Sequence, residues 1–469
     1  MSNNPPSTPA EALDISRTYR FKMNAVLILA KIFRFWDYPY KNAATDFAEM
    51  DWRDIYYWVH KTTNPITRPE KGERIDDMLT INNHVVGLPQ SFEKQYSLTF
   101  GACGDMLYPQ GNGGEASPLG IEYSKDILFE NIADLLFDQT ISFVNLESPI
   151  TTQPLKKEVI SNKGAPTECC SREQFDVLKG YKGKHFTVMN TVNNHTFDLG
   201  IEGMETTRRV LAEEGILNVG TNSNPAEFGK AEILIKDGIK IGFVSVTFGL
   251  NGHKLPAGEE YRINTSRILS KFVDAELDLL KRQINDCKNQ GCDFIIGSLH
   301  WGYEFELFPR KRQVETAHTL VELGVDAIIS CHPHVIQPVE YYRTKRDSNR
   351  IAVIAYSLGS LTWGYSAPYL VLSLILNLTL SKGGFQGGEL TYIEKANVTP
   401  VFRSSVVSGG RMQTRIEKLA DHVDGRSKNH PPEYIAEIKR YAELVLGKSD
   451  FSDKKLKDFV SIKRTKVAA

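Results

Sequence analysis

An α/β fold built around a mainly buried sheet is what this 469-residue chain predicts, and two observations carry the prediction. From about residue 96, short apolar runs of strand length alternate with segments of helical period, the pattern of strands and helices laid down in turn. The polar residues that stand out then lie just beyond the C-terminal ends of those runs, where α/β sheets build their sites.

The elements follow in chain order. Residues 1–94 read as a partly helical extension, in which "EMDWRDIYYWVHKTTNPITRP" is an aromatic-rich helix stopped at Pro65. Residues 95–400 form the main domain. "SLTFGACGD", with alternating Leu98, Phe100 and Ala102, is its first strand, and "TISFVNLESP" and "HFTVMNTVNNH" are the next two. "GMETTRRVLAEEG" is a helix ended by Gly215. "EILIKDGIKIGFVSV" is a hairpin turned at Asp237–Gly238. "CDFIIGSLHW" and "DAIISCHPH" are buried strands, separated by the helix "RKRQVETAHTLVELG". "RIAVIAYSLGS" and "YLVLSLILNLTL" close the strands. Residues 401–469 are expected to be a helical extension, "MQTRIEKLADHV" then "PEYIAEIKRYAELVLG", with a basic tail.

Composition narrows the function classes. A hydrophobic content of 41% supports a sizeable core, and a net charge of -1 supplies no global field toward nucleic acid. The tail "KKLKDFVSIKRTKVAA" lacks interleaved stacking aromatics, so no nucleic-acid partner is expected. "AVLILA" is broken by Lys31 and Arg34, and "PYLVLSLILNLTLSKGG" by Ser373, Asn377 and Thr379, so neither reads as an integral membrane segment. The N-terminus has no apolar signal-peptide core. Six cysteines without zinc-ribbon spacing are read as reduced thiols of a cytoplasmic protein, and Cys331 as a small buried residue.

The chemistry-bearing residues cluster at five strand ends. Asp105 follows the first strand. Asn145 and Glu147 end the second at i, i+2 spacing, and Asn194 and His195 follow the third. His300 ends the strand of "DFIIGSLH", and His332 and His334 flank Pro333 after "DAIIS". Pro333 forbids a helix interior and pushes His332 toward an extended backbone. His332 and His334 are therefore expected to face the same way. Converging strand ends would gather two carboxylates, an amide oxygen and several imidazoles, a donor set for a divalent metal. Asn145 reads as a strand-end hydrogen-bonder before a ligand. Asp198 either orients His195 or caps the next helix. Glu304 is an acceptor behind the site or an acid/base. Trp301, Met189 and Met204 read as core, and Lys163 as solvated.

"GDMLYP", "NLESPI", "NTVNNHTFDLG", "SLHWGYE", "CHPHVIQPVEYY" and "AYSLGS" occur in this order. Over residues 96–400 they resemble the CapA/PgsA capsule-synthesis family, within the calcineurin-like metallophosphoesterase superfamily. The resemblance implies a metallophosphoesterase-like β-sandwich flanked by helices. It implies Glu147 as a carboxylate bridging two metals, Asn194, His300 and His332 on one of them, Asp105 and His334 on the other, and His195 as the catalytic imidazole. Leu107 stands where most of the superfamily has a histidine, which leaves one metal the poorer ligand set. One or two divalent ions (Mn, Zn, Mg or Ca) are expected. The expected substrate is a peptide, a polyglutamate-like polymer or a phosphoester. The reaction is hydrolysis or proton transfer beside a metal-polarised carbonyl, the latter an epimerisation. A non-catalytic accessory role in polymer synthesis is the alternative. The sequence is silent on oligomeric state.

Overall fold

The computed structural model describes residues 7–12, 17–72, 86–108, 124–153, 167–408, 411–423 and 425–447. Lys163 and the basic tail lie outside them. Two sheets face each other. One has seven strands in the order β13-β12-β11-β1-β2-β3-β4: β1 Glu93–Met106, β2 Ile141–Leu146, β3 Val188–Asn190, β4 Leu217–Val219, β11 Leu372–Phe385, β12 Gly388–Ser408 and β13 Arg411–Lys418. The other has six in the order β9-β10-β8-β7-β6-β5: β5 Glu232–Lys236, β6 Ile239–Thr247, β7 Phe294–His300, β8 Ala327–Cys331, β9 Val339–Arg343 and β10 Ile351–Ala355. The strands that carry the site, β1–β3 in one sheet and β6–β8 in the other, run parallel within their sheets.

Period-2 patterning decides which residues meet between the sheets. Leu98, Phe100, Ile141, Phe143 and Val188 from the first sheet join Ile241, Phe243, Phe294, Ile296 and Ile329 from the second in one core. The rings of Phe143 and Phe243 stack across the interface at 6.2 Å. The intervening residues face outward under helices. Val244, Ile295, Leu299 and Ile328 pack with helices α4 (Asp278–Asn289) and α5 (Lys311–Leu323), and Val144, Leu146 and Met189 with α3 (Gly200–Glu213). This is the expected sandwich flanked by helices.

Local predictions fare well where turn chemistry is explicit. The hairpin turns at Asp237 (φ +47°) and Gly238 (φ +77°), both left-handed as a two-residue turn requires. In the N-terminal extension, α1 spans Arg17–Ile32 and α2 Trp52–Thr63, the latter capped by an Asp51/Asp54 capping box. The last helix, α6, spans Pro432–Leu446.

One expectation is overturned. "MQTRIEKL" is strand β13 and not helix, paired antiparallel with β12 from Val401↔Lys418 to Ser408↔Arg411. Thr414 and Ile416 are buried at period 2, and the free edge of the long β12 offers partners that outweigh the helix-favouring Gln, Arg, Glu and Lys. The boundary expected at residue 400 falls inside β12, so the sheet continues past it.

Candidate metal centre

The strand parity that builds the core also delivers the polar residues. On β2, Asn145 and then Glu147 continue the inward phase of Ile141 and Phe143. On β7, His300 continues the phase of Phe294 and Ile296. Asp105 is out of phase with Phe100 and Ala102, and a register shift between Ala102 and Asp105 corrects this. Such a bulge re-aims one side chain. Gly104 makes it possible, because a Cβ there would stand 1.8 Å from the Gly359 carbonyl oxygen.

His332 and His334 reach the same place by a route the sequence reading did not foresee. The expected extended backbone is absent: His332 has φ +102° and His334 φ +56°. Two left-handed residues around Pro333 curl the chain back on the sheet end, and the His332 amide donates to Asp105 Oδ2 at 3.1 Å. Non-glycine residues held there carry local strain, which clusters at functional sites. Both imidazoles still face one crevice, with ring centroids 6.0 Å apart.

Two donor groups result. Atoms of Glu147, His300 and His332 lie within 4.8 Å of one another, and so do atoms of Asp105, Glu147 and His334, with Glu147 common to both. Asn194 Oδ1 lies 2.7 Å from His300 Nε2, beside the first group. All these residues are buried. Neither oxygen of Glu147 accepts a hydrogen bond, nor does His332 Nδ1 have a partner. Unpartnered buried carboxylate oxygens are costly unless a cation meets them. Burial pushes Asp105 up to about 7, with Glu147 adding to the push. Burial likewise raises Glu147 to about 8. Burial lowers His300 to about 4 and drives His332 and His334 well below the usual imidazole value. Three neutral imidazoles around two buried carboxylates suit a divalent cation. Position 107 supplies no donor: the Leu107 side chain is buried and only its backbone bonds, to Thr362.

The remaining candidates fall into supporting places. Asn145 donates to Asp105 Oδ1 at 2.8 Å and accepts from Asn190 at 2.7 Å, a hydrogen-bonder's position. His195 Nδ1 meets Asp198 Oδ2 at 2.7 Å. Helix α3 begins at Gly200 with no side-chain cap, so Asp198 orients the ring. Burial works against a charged His195, but Asp198, with Glu147 and Glu168, more than offsets it and raises the imidazole to about 10. Glu304 Oε1 lies 3.8 Å from His334 Nε2, and burial raises its carboxyl. Trp301 is fully buried with its indole N–H on Ser330, a core residue, as are Met189 and Met204. Cys331 is buried and its thiol is pushed up by burial, unlike a nucleophile's.

Sequence reading missed the groups that hold the ligands. Ser360 Oγ sits 2.8 Å from His334 Nδ1, and Trp363 stacks on that ring at 4.2 Å. Asn193 ties the "NNH" turn to the Leu146 carbonyl, and Glu168 donates its amide to Asp198. The N-terminal extension contributes most unexpectedly. Thr45 Oγ1 lies 3.0 Å from His332 Nε2, and the Trp58 indole donates to Glu304. Only proximity in "NNH" could have been read from the chain; Thr45 and His332 are 287 residues apart.

The family model described as bacterial capsule synthesis protein PGA_cap matches residues 99–365. The chain is 27% identical over 276 residues to "PGA biosynthesis protein CapA" of Bacillus subtilis, covering 59% of this chain and 67% of the relative. It is 24% identical over 275 residues to "Capsule biosynthesis protein CapA" of Bacillus anthracis, covering 58% and 61%. A "Probable polyglutamine synthesis accessory protein" of Mycobacterium tuberculosis is 24% identical over 208 residues, covering 44% and 52%. The chain thus spans about two thirds or less of the curated relatives it matches. Among solved structures, a thermophilic sulfate thiohydrolase SoxB aligns over 73% of this chain and 60% of its own, with a TM-score of 0.31 and 13% identity.

Proposed function

Because the chain belongs to the bacterial capsule synthesis family PGA_cap, we propose that it is a metal-dependent enzyme acting on a carboxylate-rich, polyglutamate-like peptide or polymer. The observation that carries this reading is Glu147: a fully buried carboxylate with two unpartnered oxygens, shared by two clusters of neutral imidazole and carboxylate donors. Asn194, His300 and His332 would hold one ion and Asp105 and His334 the other, with Glu147 between. A divalent ion there supplies positive charge that polarises a carbonyl or phosphoryl oxygen.

The chain's own residues do the rest. Asp198 accepts from His195 Nδ1, which orients the ring and favours its charged form, so that Nε2 carries a proton to give. Asn145 and the His332 amide hold Asp105 in place. Glu304, its carboxyl raised toward the protonated form, is a second group able to move a proton beside His334. This set serves hydrolysis of an amide or phosphoester. It also serves removal and return of a proton beside a carbonyl, which epimerises without cleavage.

Metal analysis of the purified protein comes first, then incubation with poly-γ-glutamate, short glutamyl peptides and aryl phosphates. A mass change marks hydrolysis, and deuterium uptake without cleavage marks epimerisation. Protein that holds no divalent metal after reconstitution would overturn the reading. The name of the mycobacterial relative favours a second one, a non-catalytic accessory of polymer synthesis. Metal-loaded protein without turnover on any of these substrates would support that second reading.

A further inference from the structure

Outside the site, helix α1 is the part of the molecule whose surface calls for a partner. Four of its large apolar side chains are exposed, Phe21 at 77%, Ile28 at 59%, Leu29 at 50% and Ile32 at 66%, and Phe33 and Phe35 just beyond are exposed as well. They are not scattered. Phe21, Ala25, Ile28 and Ile32 are spaced i, i+4, i+7, i+11 and share one face of the helix. Met23 and Ala30, at i, i+7, share the opposite face and are buried, and α1 is in contact with α2. The helix thus has two apolar stripes: one rests on the protein and one points away from it.

Charge identifies what the outer stripe meets. From Ile15 to Trp36 the chain holds Arg17, Arg20, Lys22, Lys31 and Arg34 and no acidic residue. Arg17 and Lys31 border the outer stripe on one edge and Lys22 on the other. A second copy of this face would set like charges against each other. A surface that is apolar within and anionic at its rim complements it. The 16-residue helix is about 24 Å long, short of the ~30 Å hydrocarbon core. Among the described residues no helix is long and apolar enough to cross a membrane.

We propose that α1 is an in-plane anchor for an anionic lipid surface. The helix lies in the headgroup layer with Phe21, Ile28, Ile32 and Phe33 among the acyl chains and its cations among lipid phosphates. Because α1 rests on α2, and α2 brings Trp58 to Glu304, the anchor holds the candidate metal centre close to the lipid surface. The inference stands apart from the chemistry of that centre.

The test is sedimentation of the full chain with vesicles of phosphatidylcholine alone or mixed with phosphatidylserine. The wild type is expected to sediment with the mixed vesicles, less so as salt rises. Phe21→Ser/Ile28→Ser/Ile32→Ser should weaken partitioning on the order of a hundredfold. Lys22→Gln/Lys31→Gln should weaken it roughly tenfold or more. These side chains are exposed, so circular dichroism and bound metal should match the wild type in both variants. Three results would overturn the proposal. One is no sedimentation with either vesicle. Another is unchanged sedimentation of the apolar variant, which would assign binding to the basic C-terminal tail. The third is a lipid-free dimer that the apolar substitutions abolish, which would make a second copy the occupant.

Discussion

At the scale of single residues, the division of labour inside "NNH" makes a sharp prediction. His195→Ala should leave metal content intact while turnover falls about 10²–10⁴-fold, the usual contribution of a positioned acid or base. Metal analysis and kinetics of that variant check it, and joint loss of metal and turnover would make His195 a ligand. Glu147→Gln should abolish metal binding more completely than Asp105→Asn, because Glu147 is common to both donor groups and neither of its oxygens accepts a hydrogen bond. Calorimetric titration with manganese or zinc decides, and equal losses would count against a shared carboxylate. Thr45 holds His332 Nε2 and leaves Nδ1 as the ring's unpartnered lone pair. Thr45→Val should therefore weaken metal affinity roughly 10–100-fold, as loss of a ligand's outer hydrogen bond does, and Thr45→Ser should restore it.

At the scale of elements, helix α2 is fastened by a buried charge cluster. Glu306 accepts from Lys61, Tyr57 and Arg310, and Arg310 lies over the Tyr303 ring. Burial pushes the Glu306 carboxyl up, yet Arg310 and then Lys61 more than offset it, and the net direction is down. Lys61 itself is pulled down by burial that Glu306 only partly offsets, whereas Arg310 is raised despite burial, so Arg310 is the dominant partner. A carboxylate depressed on folding stabilises above its unfolded pKa, and that contribution disappears as pH falls through the folded value. Glu306→Gln should cost about 3–5 kcal/mol near neutral pH and flatten the acid limb of stability, read by urea melts at stepped pH. Elements were legible in the sequence where their signal was local: the aromatic-rich helix stopped at Pro65, the Asp237–Gly238 turn, the apolar strands. Strand β13 was not, because its partner is the free edge of β12, which is known only once the sheet exists. The same holds for the bulge at Gly104, which turns Asp105 inward through an approach to Gly359 that no periodicity announces.

At the scale of the whole molecule, the candidate donor residues lie at strand ends the sequence marks, while the groups that touch them lie elsewhere in the chain and become neighbours only through the fold. The segment around residues 40–66 shows what this entails. Thr45 meets His332, Trp58 meets Glu304, and Ile66 is hydrogen-bonded between Phe305 and Leu307, so this segment completes a pocket whose walls are translated hundreds of positions after it. This segment must wait for the later one, and contacts of such sequence separation form slowly. Occupancy of the centre and docking of this segment are then two readings of one equilibrium: whatever tightens the first must tighten the second by the same free energy. Limited proteolysis between residues 40 and 66 should accordingly slow on adding manganese or zinc and quicken on adding a chelator, and cleavage rates indifferent to metal would uncouple the two. The amino-terminal arm would serve as the protein's own gauge of whether its centre is filled.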